Sequence, residues 1–264
     1  MKLHLKNIKG ISKEKHLPGH GNHPGEVHIW THVIHYDDPF LRQAPFMLSQ
    51  DEMGRAARYH FEKDRRVYES AHVFIRKVLA HYVSLDPVAL QLSPLVNTKP
   101  QLLNAPFHIH FNISHSGNRI LVAIGFDSDV GIDLEKIMND FDMDGFAEAN
   151  YHANELELFR QLKGDDETLY FYTIWTRKEA WLKLTGEGIN DKLRELDFSG
   201  KTNQPKFSPF GHQNVYMTTW KEGLDYVVTL ASDIDRTHTL FFDSSLLINE
   251  SGEDLNEAVE YGED

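Results

Sequence analysis

Apolar and polar positions change period several times along the chain. The segment Val27–Ile34 alternates apolar with polar residues, which predicts a strand. From Ser49 to Val83 the apolar residues return at helical spacing through Val73, Val78 and Leu79. Ser49 and Glu52 stand at capping-box spacing in front of them, so a single helix is predicted. A loop carrying Pro87, Pro94, Pro100 and Pro106 follows. His108–Ile113 and Ile120–Phe126 then read as strands, and Asp127-Ser128-Asp129 offers a turn into Val130–Ile137, so the last two are expected to form a hairpin. Helical spacing resumes at about 142–163 and 167–185, with Gly186 where a C-cap glycine belongs. Strand-like runs close the pattern at Val215–Trp220, Tyr226–Ala231 and Thr239–Phe242.

This order predicts an α+β chain of two similar α+β subdomains, a pseudo-twofold arrangement meeting near residue 125. The expected divisions are a flexible lead-in at 1–25, an N-terminal subdomain at 26–125, a C-terminal subdomain at 126–247 and an acidic tail at 248–264. At 264 residues, 41% of them apolar, the chain is long enough for a full core. It has no cysteine, which excludes disulfides, thiolate metal sites and a cysteine nucleophile. It also lacks an apolar run long enough to span a bilayer and a secretory h-region, so a cytoplasmic protein without membrane contact is expected. The net charge of −13 argues against nucleic acid as a partner, although seven of the acids lie together between Glu250 and Asp264.

Three segments carry candidate chemistry. On the helix predicted at about 167–185, Tyr172, Trp175, Glu179 and Leu182 share one stripe, and Lys183 follows Glu179 by one turn. A carboxylate on an aromatic-marked face is costly to bury unless it is paired or binds a metal. In Val130-Gly131-Ile132-Asp133-Leu134-Glu135 a strand would project Asp133 and Glu135 from one face while Val130, Ile132 and Leu134 enter the core. Taken alone, such a pair is ordinarily a solvated sheet face, and Glu179 with Lys183 a surface ion pair. Together the three carboxylates suit a hard cation such as Mg²⁺. The third segment, Phe111-Asn112-Ile113-Ser114-His115-Ser116-Gly117, ends a strand with small hydroxyls, an imidazole and a glycine. It can gather donors around a phosphate or simply cap a turn. Lys99, in Asn97-Thr98-Lys99-Pro100, is a candidate phosphate contact in a rigid loop.

These three motifs, in this order and spacing over about residues 27–245, resemble the signature of the 4′-phosphopantetheinyl transferases of the surfactin-synthetase-activating type. The resemblance implies a fold of two similar subdomains with coenzyme A bound between them. It implies transfer of the phosphopantetheine arm to a serine of an apo acyl or peptidyl carrier protein, with release of adenosine 3′,5′-bisphosphate. By motif match, Asp133, Glu135 and Glu179 would hold Mg²⁺, and Glu179 would also be the base for the carrier serine. Lys183 would stabilise charge on the diphosphate, and Ser114, His115 and Lys99 would contact coenzyme A phosphates. The stretch from Arg55 to Arg76 resembles the family's basic helix, with Arg55 and Arg66 as candidate contacts. Glu52 stands where relatives often carry a basic residue. A monomer is expected. A Mg²⁺-dependent diphosphate hydrolase and a non-catalytic carrier-protein binder are the alternatives. Retention of all three carboxylates and Lys183 opposes the second.

Overall fold

The computed structural model describes residues 14–19, 23–93, 99–138, 140–188, 191–200, 215–234 and 238–248. The acidic tail from 249, the first half of the lead-in, and Asn97 and Thr98 lie outside the described residues.

Two antiparallel-rich sheets form the centre. The first has the order β2-β3-β1-β7, from His110–Ser116, Arg119–Gly125, Glu26–Val33 and His238–Asp243. The second has the order β4-β6-β5, from Val130–Lys136, Tyr226–Ser232 and Tyr216–Glu222. A cluster containing Val27, Ile29, Leu121, Ala123, Ile132, Leu134, Trp220 and Val228 joins the two sheets face to face. Helix α3 (Glu62–Val83) covers the outer face of the first sheet, and α6 (Asp165–Thr185) that of the second. The order of layers is therefore helix, sheet, sheet, helix, the α+β arrangement the sequence predicts.

This layering explains the strand sequences. β3 and β6 are apolar almost throughout because both faces are covered. In β1 the alternation separates two buried faces. Val27 and Ile29 meet the second sheet, while Trp30 packs with the α3 core and His28 and His32 are buried beside it. The buried histidines are satisfied by neighbours: His32 bridges Asp38 (2.7 Å) and Ser244 (2.9 Å), and Ser70 donates to Asp38 (2.8 Å).

Several sequence expectations change. The helix predicted over 49–83 is two, α2 (Gln50–Ala56) and α3, because α2 folds back and its Glu52 binds His72 and Arg76 on α3. The capping box at Ser49 is present. Helix α1 (Pro39–Met47) has no counterpart among the predicted elements; Pro39 occupies the first turn behind an Asp38 cap. The helix predicted over 142–163 divides into α4 (Met143–Asn150) and α5 (Ala153–Gln161), where His152 and Glu155 form a second capping box. The expected β3–β4 hairpin does not form. β3 pairs with β1 and β2, and β4 crosses to the second sheet to pair with β6. The tight hairpin lies one strand earlier, at Gly117-Asn118, where Gly117 takes φ +60°. β7 lies late in the chain yet pairs in parallel with β1, in the first sheet.

Candidate functional site

The edges of the two sheets meet at β2 and β4 and are fastened by side chains in place of a backbone ladder. Asn112 Oδ1 accepts from the Ile132 amide (2.9 Å), Ser114 Oγ from Leu134 (3.1 Å) and Ser116 Oγ from Lys136 (3.0 Å). Alternate residues of β2 thus satisfy alternate amides of β4, and Ser114 has its place fixed by this seam. Its hydroxyl also donates to Asp133 Oδ1 (3.0 Å) and accepts from Lys183 Nζ (3.1 Å).

The other face of β4 packs on α6. Gly131 makes this approach possible: a Cβ there would stand 2.1 Å from the Ala180 carbonyl oxygen and 2.6 Å from the Leu184 nitrogen. Asp133 and Glu135, on the same face of the strand as Gly131, are thereby presented to Glu179 and Lys183 on α6. Lys183 Nζ donates to Asp133 Oδ1 at 2.6 Å, and Ser116 Oγ donates to Glu135 at 3.0 Å. Asp133 Oδ2 and Glu179 Oε1 are buried without a hydrogen-bond partner. Burial, then the Asp133 and Glu135 charges, push Glu179 up to about 7 against the opposing pull of Lys183. Burial and the Asp133 charge raise Glu135 as well. Two adjacent orphaned carboxylate oxygens in a set of hard donors are the electrostatic condition that a divalent cation relieves. Among the described residues, the group of three whose donor atoms all lie within 4.8 Å is His23, Glu26 and His28.

A cavity of about 640 Å³ opens over Glu179 and Lys183, walled by Lys99, Pro100, Asn112, Ile113 and Leu182. A second of about 750 Å³ shares Pro100 and Ile113 with it and runs past His115, Ser116, Tyr68 and His72 along α3. A third of about 240 Å³ shares His72 and reaches Arg55, Glu52 and Arg76. The first cavity of this groove is lined from both halves, and the other two by residues of the N-terminal half.

The remaining predicted residues fall around it. His115 projects from β2 opposite Ser114 and is exposed. The surrounding protein desolvates its ring and Lys183 adds to the effect, so its pKa is lowered. Lys99 reaches the groove but is paired with Asp129 at 2.6 Å, an acid that also binds His110 at 2.8 Å. Arg55 borders the smallest cavity. Arg66 lines none of the three cavities. Its guanidinium donates to the Tyr36 carbonyl and lies 5.0 Å from that ring's centroid. Glu52 is committed to Arg76 at 2.7 Å, so the acid is a structural anchor at the end of the groove.

Sequence reasoning passed over Asn112 and Ser116, whose i, i+2, i+4 spacing with Ser114 is the visible sign of the seam. It also gave no role to Lys178. That ammonium is fully buried against Glu155 (3.0 Å) and the Leu193 and Leu196 carbonyls, and holds α6 to α5.

Comparison with known proteins agrees with this architecture. Residues 38–125 match the family model described as 4′-phosphopantetheinyl transferase, N-terminal, and residues 129–231 that of the 4′-phosphopantetheinyl transferase superfamily. The chain belongs to the 4′-phosphopantetheinyl transferase family. It is 32% identical over 182 residues to the 4′-phosphopantetheinyl transferase HetI of Nostoc sp., covering 68% of this chain and 76% of that one. It is 35% identical over 187 residues to the 4′-phosphopantetheinyl transferase Sfp of Bacillus subtilis, covering 65% and 79%. The human L-aminoadipate-semialdehyde dehydrogenase-phosphopantetheinyl transferase is 27% identical over 163 residues, covering 57% and 52%.

Proposed function

We propose that this chain transfers the 4′-phosphopantetheine arm of coenzyme A to a serine hydroxyl of an apo acyl or peptidyl carrier protein. The observation that carries the proposal is the groove itself. Its cavity of about 640 Å³ lies between residues of the two halves and has Glu179 and Lys183 in its wall. The halves 26–125 and 126–247 are the two subdomains that hold coenzyme A between them.

In the reaction the serine oxygen forms a bond to the phosphorus that bears the pantetheine. The bond from that phosphorus to the bridging oxygen breaks, and adenosine 3′,5′-bisphosphate leaves. Such transfers ask the protein chiefly for positioning and charge stabilisation. Lys183, held by Asp133 and Ser114 at the edge of the cavity, neutralises charge on the diphosphate. Glu179 takes the proton of the incoming serine. His115 and Lys99 bind phosphate oxygens from the groove walls, which requires Lys99 to exchange Asp129 for the ligand. Arg55, at the smallest cavity, is the basic candidate on the adenosine side, and Arg66, held on Tyr36, is not.

Asp133, Glu135 and Glu179 fit Mg²⁺ by donor chemistry and by the uncompensated oxygens of Asp133 and Glu179, and would hold it against the diphosphate. When bound, Mg²⁺ supplies neutralisation of the diphosphate charge. Among the described residues no helix is long and apolar enough to cross a membrane.

The direct test is to incubate the chain with coenzyme A, Mg²⁺ and several apo carrier proteins and to measure carrier mass. A phosphopantetheine adduct on serine is expected. Free phosphopantetheine without adduct, or no reaction with any carrier, would overturn the proposal.

A further inference from the structure

The second group of ligating side chains lies away from the transfer residues, where the lead-in turns into β1. We propose that His23, Glu26 and His28 form a binding site for a divalent transition metal, Zn²⁺ by its donor set, that clips the lead-in to the first sheet.

The geometry is already close to what such an ion needs. His28 Nε2 lies 2.7 Å and His23 Nδ1 3.6 Å from Glu26 Oε2, and all three donor atoms fall within 4.8 Å of one another. In a tetrahedral site with bonds of about 2.0–2.1 Å, donor atoms stand about 3.3 Å apart, so small side-chain rotations suffice. Two imidazoles and one carboxylate are a donor set that Zn²⁺ accepts with a fourth position left for water. They are a poor set for Mg²⁺, which prefers oxygen.

The outer contacts orient the two rings as metal-binding histidines are oriented. His23 Nε2 lies 2.8 Å from the Gly19 carbonyl, an atom that can only accept. A neutral His23 therefore carries its proton on Nε2 and turns the Nδ1 lone pair toward a carboxylate oxygen, acceptor facing acceptor. A cation between them resolves that conflict. His28 Nδ1 lies 2.7 Å from the Tyr82 hydroxyl, which also accepts from Trp30 Nε1 at 2.8 Å. With a metal on Nε2, His28 holds its proton on Nδ1 and donates it to the Tyr82 oxygen, the supporting bond that fixes tautomer and ring plane. The ring is fully buried beside Phe126, Tyr82 and Phe242, which hold its plane in place.

The surroundings explain what the ion would do. The turn between His23 and Glu26 is tied to the β3–β4 crossover by the Gly25 amide and Asp127 Oδ2 at 2.9 Å. The lead-in touches the fold at Pro18, whose carbonyl lies 2.8 Å from His81 Nε2, and at Glu14, whose amide donates to Phe241 at 2.7 Å. An ion at His23 would turn these scattered bonds into a rigid strap across β1 and β7.

The test uses the full chain, stripped with a chelator and titrated with ZnCl₂ in a calorimeter, beside His23→Ala and Glu26→Gln. One equivalent of Zn²⁺ is expected to bind the parent chain and raise its melting temperature, with affinity weakened roughly tenfold or more in each variant. Co²⁺ in place of Zn²⁺ should give the visible absorption of a tetrahedral site in the parent alone. Both variants alter half-buried side chains at the strand entry and should keep transfer activity, which reports that they fold. Equal Zn²⁺ binding by parent and variants, or no binding by the parent, would overturn the site.

Discussion

At the scale of single residues, the unusual feature is a charge environment that works against itself. Glu179 sits among buried groups with two other acids nearby and one lysine to offset them. Its pKa is about 7 in the folded chain against an ordinary 4.5, so the metal-free fold binds this proton more tightly than the unfolded chain does. Stability is therefore greatest below about pH 4.5 as far as this group is concerned, and falls as pH rises toward 7, by roughly 3 kcal/mol in all. Glu179→Gln should reduce that decline in urea midpoints measured in chelator between pH 5 and 7. The same substitution should abolish carrier modification while the far-ultraviolet circular dichroism stays unchanged. An unaltered pH slope would refute the charge environment, and an active variant would remove Glu179 from the mechanism.

At the scale of elements, two contacts determine where the groove walls stand. Glu52 fastens α2 to α3. Burial opposes its ionisation, but hydrogen bonds from His72, Arg76 and the Ser49 amide outweigh that and bring its pKa down to about 2. A lowered acid stabilises above its unfolded value of 4.5, and that contribution, roughly 3 kcal/mol, disappears as pH falls from 4.5 through about 2. Glu52→Ala leaves the buried Arg76 without its carboxylate and should cost about 3–5 kcal/mol at neutral pH, read from chemical unfolding. The second contact is β4 on α6. Gly131→Ala forces a methyl into the Ala180 carbonyl and should cost about 3 kcal/mol or more. Transfer should fall further than stability, because the Asp133 strand is pushed away from Glu179; measuring turnover at a temperature where the variant remains folded separates the two effects.

At the scale of the whole molecule, the chain is stitched together from both ends. β7 completes the first sheet by pairing in parallel with β1, and Phe242 stacks on Trp30 with centroids 4.9 Å apart. The Leu247 carbonyl accepts from the buried Lys77 at 2.9 Å, and Ser244 closes the His32–Asp38 network. A chain ending at residue 234 loses all of these, exposes the edge of β1 and leaves Lys77 without that acceptor. It should lose its sharp unfolding transition, and the loss should include the N-terminal half as followed by Trp30 burial. A truncated chain that melts as the parent does would mean the first sheet is self-sufficient.

The sequence by itself determined the chemistry and most of the elements. Helix caps at Ser49 and Gly186, the Asp133–Glu135 pair on one strand face and the stripe containing Glu179 are local periodicities, and local periodicity follows from backbone geometry alone. Where a competing local or long-range contact intervenes, periodicity misleads. The 49–83 pattern hid a fold-back because Glu52 finds Arg76 across 24 residues, and the turn at Asp127 looked like a hairpin although β4 pairs with a strand almost a hundred residues later. The pairing of β7 with β1, the β2–β4 seam and the groove between the halves were decided only in three dimensions. They depend on which edge amides and apolar faces remain to be covered once the local elements exist, and no stretch of sequence contains that information until its partners have arrived.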